Sequence, residues 1–297
     1  MYVTERFVLD PYTKEPILAK TPVFDYGEFG KVIFYRTYSR VKPDGTMESW
    51  NEVVIRVVEG VFSIRKDWYL KNHIDWDESQ WQHYAVGFAE YLFDMKWMPP
   101  GRGLWAMGTE FIYERGSMAL NNCAFIRISE NIGADAAWAM DALMCGVGVG
   151  FCPDRSDNLS IYEPNAEYTF VIPDTREGWC ESIKRLCEAY TVGEGLPVFD
   201  YSQIRAEGLP IKGFGGDSSG PKPLKWLHDK IKEFFLLYMS DLFYDSVRLK
   251  TDIMNCIGCC VVAGNVRRSA ELAVADIDDE TFLDLKNYEM YPDRSEF

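Results

Sequence analysis

The chain has 297 residues, of which 47% are hydrophobic and 15% aromatic, and its formal net charge at pH 7 is −15. This composition supports a sizeable buried core and excludes a disordered chain. The acidic charge argues against non-specific nucleic-acid binding, because it repels phosphates, but a local pocket can still hold a nucleotide. The start, MYVTERFVLD, lacks the apolar core of a signal peptide, and no run of about 18 apolar residues predicts a membrane span. We therefore expect a cytoplasmic protein with reduced cysteines, bound neither to nucleic acid nor to a membrane.

The first part of the chain, residues 1–98, predicts a mostly helical region. Apolar residues recur every three to four positions in ESWNEVVIRVVEGVFSIRKDWYL (48–70) and in DESQWQHYAVGFAEYLFDMKW (77–97), as they do on helices with one buried face. MPPGRG (98–103) interrupts this pattern with two prolines and two glycines. We therefore predict two domains, 1–98 and 99–297.

From residue 99 onward, strand-like and helical segments alternate, which is typical of an α/β architecture with parallel strands. CAFIRI (123–128) and YTFVIP (168–173) predict strands, and the stretch at 193–223 predicts a long loop. Aspartates suit helix N-caps at position 174 and at either 276 or 278. The remaining predicted elements are helices over 133–145, 174–190, 224–243, 252–264 and 278–288, with a strand near 276.

The stretch MALNNCAFIRI (118–128) places Cys123 after Asn121 and Asn122 and directly before a predicted strand. Cysteine is often a buried core residue. However, two amides before it suit a turn or the polar rim of a pocket. The sequence therefore leaves two alternatives, a core cysteine or a thiol that faces a cavity.

The glycine-rich segment GVGVGF (146–151) lets the backbone approach a ligand closely at Gly146, Gly148 and Gly150. It is not a dinucleotide-binding fingerprint, because it follows a predicted helix rather than a strand and has the wrong spacing. A tight turn that packs on a strand explains it equally well.

The segment AGNVRRSAE (263–271) combines backbone freedom with two planar cations. Gly264 and Asn265 allow unusual backbone angles, and Arg267 and Arg268 can donate to a phosphate or to a base edge. The alternative is a solvated loop whose arginines pair with nearby acids.

The segment GRGLWAMGT (101–109) carries Arg102 between two glycines and ends at Thr109. An arginine in this setting suits an anion contact, and the threonine offers a hydroxyl group. A surface turn is the alternative interpretation.

The spacing in CIGCC (256–260) is compatible with a zinc or redox site. No second C-x-x-C or histidine pair lies nearby in the sequence, so we predict no metal site. On a helix the three cysteines share one face within an apolar run, which favours core packing. Cys180 and Cys187, seven residues apart on a predicted helix, favour the same interpretation.

Taken in order, five motifs resemble the N-terminal part of adenosylcobalamin-dependent (class II) ribonucleotide reductases. They are GRGLWAMGT, LNNCAF, MCGVGVGF, PIKGFGGDSSGPKPL and VVAGNVRRSAELAVADIDDETFLDLK. RTYSR (36–40) and ESWNEVV fit the monomeric ribonucleoside-triphosphate reductases in particular. The resemblance covers essentially the whole chain. It implies an α/β fold in which an N-terminal helical region precedes the first half of a ten-stranded barrel, with an allosteric region around 160–225.

The resemblance also implies a reaction and a set of roles. In the family, a cobalamin-derived radical generates a thiyl radical, and a pair of thiols reduces the ribonucleotide and ends as a disulfide. Cys123 would be one thiol of that pair, and Asn122 would line the ribose site. The implied substrate contacts are Arg102, Thr109, Gly148 and Gly150, and the implied loop for the base and the effector contains Gly264, Asn265, Arg267 and Arg268.

One part of the family pattern is absent from this sequence. The thiyl cysteine and its carboxylate are expected in an Asn-x-Cys-x-Glu loop, yet all eight cysteines precede residue 261. We therefore expect a fragment that is inactive alone and needs a C-terminal half. The expected ligands and partners are a ribonucleotide, a deoxynucleotide effector, a thioredoxin-like reductant and adenosylcobalamin, the last bound mainly by the completed enzyme. Alternatives are a diphosphate-using reductase, a nucleotide-binding regulatory module without catalysis, and a structural α/β protein.

Overall fold

The computed structural model describes residues 2–156, 159–211, 217–240, 244–263 and 269–297 of two compact units, Met1–Asn121 and Asn122–Phe297. The helices of the first unit are α1 (Pro11–Ala19), α2 (Glu28–Thr37), α3 (Trp50–Lys71), α4 (Glu78–Phe93), α5 (Gly101–Ala106) and α6 (Glu110–Arg115). The elements of the second unit are β1 (Cys123–Ile128), α7 (Ile132–Met144), β2 (Gly148–Pro153), β3 (Glu167–Val171), α8 (Arg176–Thr191), β4 (Leu196–Asp200), α9 (Lys222–Ser240), α10 (Ser246–Val262), β5 (Glu271–Ala273) and α11 (Glu280–Asp284). Within these described ranges, no helix is both long and apolar enough to cross a membrane.

The first unit is organised around α3, whose start is fixed by a reciprocal cap between Ser49 and Glu52. The apolar face of α3, including Val53 and Val57, is fully buried against the other helices. Close packing also fixes the segment after α5, because a Cβ at Gly60 would lie 2.4 Å from the backbone nitrogen of Gly108. The predicted helical character of this region is therefore confirmed.

The second unit contains two parallel strand–helix–strand crossovers. The first, β1–α7–β2, joins β5 in a three-stranded sheet of order β1-β2-β5 in which every pairing is parallel. The second, β3–α8–β4, forms a separate parallel pair. Helices followed by parallel strands confirm the predicted α/β class.

The three-stranded sheet has a covered face and an open face. On the covered face, Ile128, Val149 and Phe151 are buried beneath α7 and α10. On the open face, Phe125 is 57% exposed and Leu272 is 67% exposed. Parallel sheets in globular proteins normally have both faces covered. An uncovered face is therefore unusual for a parallel sheet, and in the described part of the chain this face carries the candidate site.

The structure corrects the interpretation of GVGVGF as a loop or tight turn. Gly146, with a φ of 75°, makes the turn, but the segment continues directly into β2. Glycine is a poor strand former, so local propensity does not predict a strand here. The strand forms because β2 is the central strand, with partners on both sides in β1 and β5.

Three further expectations from the sequence were wrong. The region at 193–223 contains β4 rather than only loop. Thr175 caps α8 in place of Asp174, because the Asp174 carboxylate pairs with Arg205 at 2.7 Å. Asp279, not Asp276 or Asp278, caps α11 by accepting a hydrogen bond from the Phe282 amide.

Candidate functional site

The structure resolves the question raised by Cys123. It is the first residue of β1, its thiol is free and it is the one exposed cysteine of the eight. Cys152 and Cys259 are half-buried and the other five are buried. The alternative of a core cysteine is therefore wrong, and the thiol belongs to the open face.

The backbone around Cys123 leaves space beside the thiol. Cys123 is in register with Gly148 on β2, and the Gly148 amide donates to the Asn122 carbonyl at 2.9 Å. A Cβ at Gly148 would have no neighbour closer than 3.7 Å. Because no side chain fills this position, a ligand can approach both the thiol and the strand backbone there.

Next along the open face lies an apolar row formed by Phe125, Gly150 and Leu272, which are in register across the three strands. The Phe125 ring lies across Gly150, since a Cβ at that glycine would come within 2.8 Å of ring carbon Cδ2. Gly150 is thus required by a neighbouring ring, whereas Gly148 is not restricted in this way.

The far end of the open face carries a charged pair. Arg127 donates to the Asp154 carboxylate at 2.8 and 3.0 Å, and the Cys152 thiol lies 3.1 Å from the same carboxylate. Burial, followed by the Asp154 interaction, raises the pKa of Cys152 to about 11, so its thiol stays protonated at neutral pH.

Cys152 cannot form a disulfide with Cys123 in this fold. It lies four residues beyond Gly148 on β2, which corresponds to about 13 Å along a strand. A disulfide needs Cα atoms roughly 4.4–6.8 Å apart. A second thiol that acts with Cys123 must therefore come from outside this strand.

The other cysteines behave largely as the sequence predicts. Cys180, Cys187, Cys256 and Cys260 are buried in helices, and burial raises the pKa of each thiol. Core packing is thereby confirmed for these four. In the part of the chain that the structure describes, no group of three His, Cys, Asp or Glu side chains could hold a metal ion.

Arg102 and Thr109 lie in the first unit, each with a local partner. Arg102 on α5 donates to the Ala119 carbonyl at 3.4 Å, and the Thr109 hydroxyl donates to the Ala106 carbonyl at 2.7 Å. Their roles as substrate contacts stay predictions.

The predicted base-reading and effector residues fall on a stretch outside the described residues. They are Gly264, Asn265, Arg267 and Arg268. Their role likewise stays a prediction, while the segment that follows them, from Ser269 into β5, is described.

Sequence reasoning missed three residues of this sheet. Phe125 could have been found, because alternation places it two positions after Cys123 on the same strand face. Leu272 needed the register of β5, which no local pattern supplies. Glu271 has a carboxyl group that packs against Gly258 of α10, a contact that no local sequence pattern indicates.

Comparison with known proteins gives matches over most of the chain. The family model of the ribonucleotide reductase alpha domain matches residues 9–109. The model of the B12-dependent ribonucleotide reductase insertion domain matches residues 152–234, a stretch that includes β3, α8 and β4.

Curated relatives include an adenosylcobalamin-dependent ribonucleoside-triphosphate reductase of Euglena gracilis, 43% identical over 99% of this chain and 41% of the relative. A probable enzyme of the same name from Dictyostelium discoideum is 38% identical over 97% of this chain and 40% of that protein. The Lactobacillus leichmannii enzyme is 30% identical over 88% of this chain and 43% of its own length. The chain thus spans about two fifths of the length of these relatives.

A solved structure gives the same result for the fold. The crystal structure of a B12-dependent (class II) ribonucleotide reductase superposes with a TM-score of 0.73 at 25% identity. The match covers 96% of this chain and 47% of that chain.

Proposed function

Because the chain belongs to the family of B12-dependent ribonucleotide reductases and matches the N-terminal part of its members, we propose that it supplies one reductant thiol and part of the nucleotide site of a ribonucleoside-triphosphate reductase. The observation that carries this proposal is the exposed Cys123 thiol beside the unfilled position at Gly148. Triphosphates are the proposed substrates because the relatives are named for them.

In the proposed reaction, Cys123 acts as one half of a dithiol reductant. Two thiols lose two protons and two electrons and join as a disulfide, while the ribonucleotide loses its 2′ hydroxyl as water and gains hydrogen at that carbon. The open position at Gly148 would admit the sugar close to the thiol, and the Asn122 amide would line it. A thioredoxin-like protein would then restore both thiols.

The remaining chemical groups are proposed to come from a C-terminal part that this sequence does not contain. Chain coverage of about two fifths of each relative supports this division. Cys152 lies too far along β2 to be the second thiol, and the buried cysteines are shielded by their helices. We therefore expect no reductase activity from the 297-residue chain alone.

Adenosylcobalamin is proposed as the cofactor because the relatives carry it in their names. The residues present do not build a site for it by themselves. The open face offers Phe125 and Leu272 as apolar contacts, and the described residues contain no cluster of three His, Cys, Asp or Glu side chains that could hold a metal ion. We place its binding mainly with the C-terminal part and derive no step through it.

The effector role is assigned to the segment that contains Gly264, Asn265, Arg267 and Arg268, which would read the base and respond to a deoxynucleotide. Arg102 and Thr109 would contact the substrate. The described residues that follow this segment in the sequence, from Ser269 onward, lead into β5 of the three-stranded sheet. A cytoplasmic location fits a nucleotide substrate and a free thiol.

The test is to join this chain to the remaining C-terminal part of the Euglena gracilis relative and measure deoxyribonucleotide formation with adenosylcobalamin and a dithiol reductant. We expect turnover by the joined protein, and its loss by at least about a thousandfold in Cys123→Ser, because the thiol is consumed stoichiometrically in each cycle.

Cys152→Ser is the matched control, since it removes a thiol from the same face of the sheet, on the neighbouring strand, without touching the proposed reductant. It should keep most of the activity. Full activity in Cys123→Ser would refute the catalytic role and favour the regulatory module, for which this thiol is dispensable.

A further inference from the structure

Glu271 occupies an unusual position on the covered face of the sheet. It is in register with Val149 of β2, and its side chain points toward α10. A Cβ at Gly258 would lie 3.0 Å from the Glu271 carboxyl carbon and 3.1 Å from Oε2. The carboxyl group thus occupies the notch that this mid-helix glycine leaves open.

The notch explains the glycine in CIGCC. Glycine inside a helix costs about 1 kcal/mol relative to alanine, so its presence requires a reason in the packing. A Cβ at this position would be in tight contact with the Glu271 carboxyl group and would push it out of the notch by a few tenths of an ångström. Gly258 and Glu271 therefore form a matched pair between α10 and β5.

The carboxyl group has no countercharge among the residues that the structure describes. Oε1 is buried without a hydrogen-bond partner there, and no ion pair includes Glu271. Cys259 of α10 is its titratable neighbour, and β2 faces it with the apolar Val149. Burial of an unpaired carboxylate is costly, so the neutral acid is favoured, and burial raises the pKa of Glu271 to about 8.

The strand that carries Glu271 connects this notch to the open face. The Ala270 carbonyl accepts from the Val149 amide, and the Val274 amide donates to the Phe151 carbonyl, each at 2.9 Å. Ser269 donates to the Leu143 carbonyl at 2.6 Å. Leu272, which follows Glu271 on β5, points to the open face, where it is in register with Gly150. A displacement of the β5 backbone at Glu271 would be passed directly to Leu272, because the two residues are adjacent on the strand.

We infer that Glu271 is a positioning residue for the open face: as a neutral acid seated against Gly258, it fixes β5 and hence Leu272, and loss of its proton releases this anchor. The inference rests on the proposed function only in taking the open face as the nucleotide side. The anchor itself requires no nucleotide and can be tested without one.

The experiment is an NMR titration of the full chain, following the Glu271 side-chain carboxyl carbon and the Leu272 methyl groups between about pH 5.5 and 9.5. We expect both signals to change with one common midpoint near pH 8. In Glu271→Gln, which stays neutral, the Leu272 signal should remain at its low-pH position throughout.

Glu167→Gln is the matched control, because Glu167 is an exposed acid at the start of another strand. It should leave the Leu272 titration unchanged. A Glu271 carboxyl that is ionised across the whole range, or a Leu272 titration that persists in Glu271→Gln, would overturn the inference. Failure of the joined enzyme to reduce nucleotides would leave this result intact and would count against the proposed function alone.

Discussion

The two faces of the β1–β2–β5 sheet are made by alternate residues of the same strands, yet they differ in what they carry. The covered face buries Ile128, Val149 and Phe151 under helices, and the open face presents Cys123 and the exposed Phe125. Strand alternation therefore separates residues that stabilise the fold from residues that remain available for chemistry. We therefore expect that removing a side chain from the covered face lowers stability strongly, whereas removing one from the open face lowers it little.

The largest stability difference should come from a matched pair of phenylalanines. Phe151→Ala removes a fully buried ring from the covered face and should destabilise the protein by about 3–5 kcal/mol. Phe125→Ala removes a ring that is 57% exposed and should cost less than about 1 kcal/mol. Urea unfolding of both variants measures the difference. Equal losses would show that the open face is covered in solution.

The stability of the protein should also depend on pH, because α9 carries a buried base, His228. Burial lowers the pKa of His228 from 6.5 to about 3, and its ring nitrogens lie 2.9 Å from the Ser182 hydroxyl and 2.8 Å from the Tyr201 hydroxyl. The unfolded chain binds the extra proton first as pH falls. The contribution of neutral His228 to the free energy of unfolding is therefore complete above about pH 6.5 and is lost progressively as the pH falls toward 3.

Lowering the pH from 6.5 to about 5 should remove about 2 kcal/mol of stability through His228, at 1.4 kcal/mol for each unit. Urea unfolding at several pH values measures this slope in the native protein and in His228→Gln, which does not titrate. The variant should lose less stability on acidification. An identical slope in both proteins would assign the acid sensitivity to other groups.

The two glycines of β2 should differ by a smaller amount. Gly150→Ala brings a methyl group within 2.8 Å of the Phe125 ring and should cost about 1–3 kcal/mol. Gly148→Ala meets nothing closer than 3.7 Å and should change stability by less than about 0.5 kcal/mol. Thermal unfolding distinguishes them. Restoration of stability in Gly150→Ala by Phe125→Ala would verify the contact that separates the two sites.

The smallest stability effect is expected at the proposed reductant thiol. Cys123→Ser replaces an exposed thiol and should leave the free energy of unfolding within about 0.5 kcal/mol of the native value. Cys256→Ser buries a hydroxyl group in α10 and should cost about 1–3 kcal/mol. Maleimide labelling of the native protein adds a second readout, in which Cys123 should react first and Cys256 last.

Local sequence patterns predicted those elements whose conformation is determined by their own residues. CAFIRI is a short apolar run typical of a strand, and it forms β1 with the predicted bounds, 123–128. No strand was predicted at GVGVGF, because its glycines do not favour one, and β2 forms only through its two partner strands. Asp174 failed as a cap because a distant arginine, Arg205, holds its carboxylate.

The site was predicted to a similar extent and for similar reasons. The amides before Cys123 indicated a thiol at a turn, and the structure exposes it there. The pairing of Glu271 with Gly258 could not be predicted, because the notch forms only when α10 packs on β5. Long-range packing of this kind has no counterpart in residue spacing.

The most direct test of the central claim is a single-turnover experiment on the joined protein, in the absence of an external reductant. Mass spectrometry would follow the oxidation state of Cys123 while deoxyribonucleotide is counted. We expect Cys123 to enter a disulfide with a cysteine of the C-terminal part, one disulfide for each deoxyribonucleotide formed. Deoxyribonucleotide formation with Cys123 still a free thiol would contradict it.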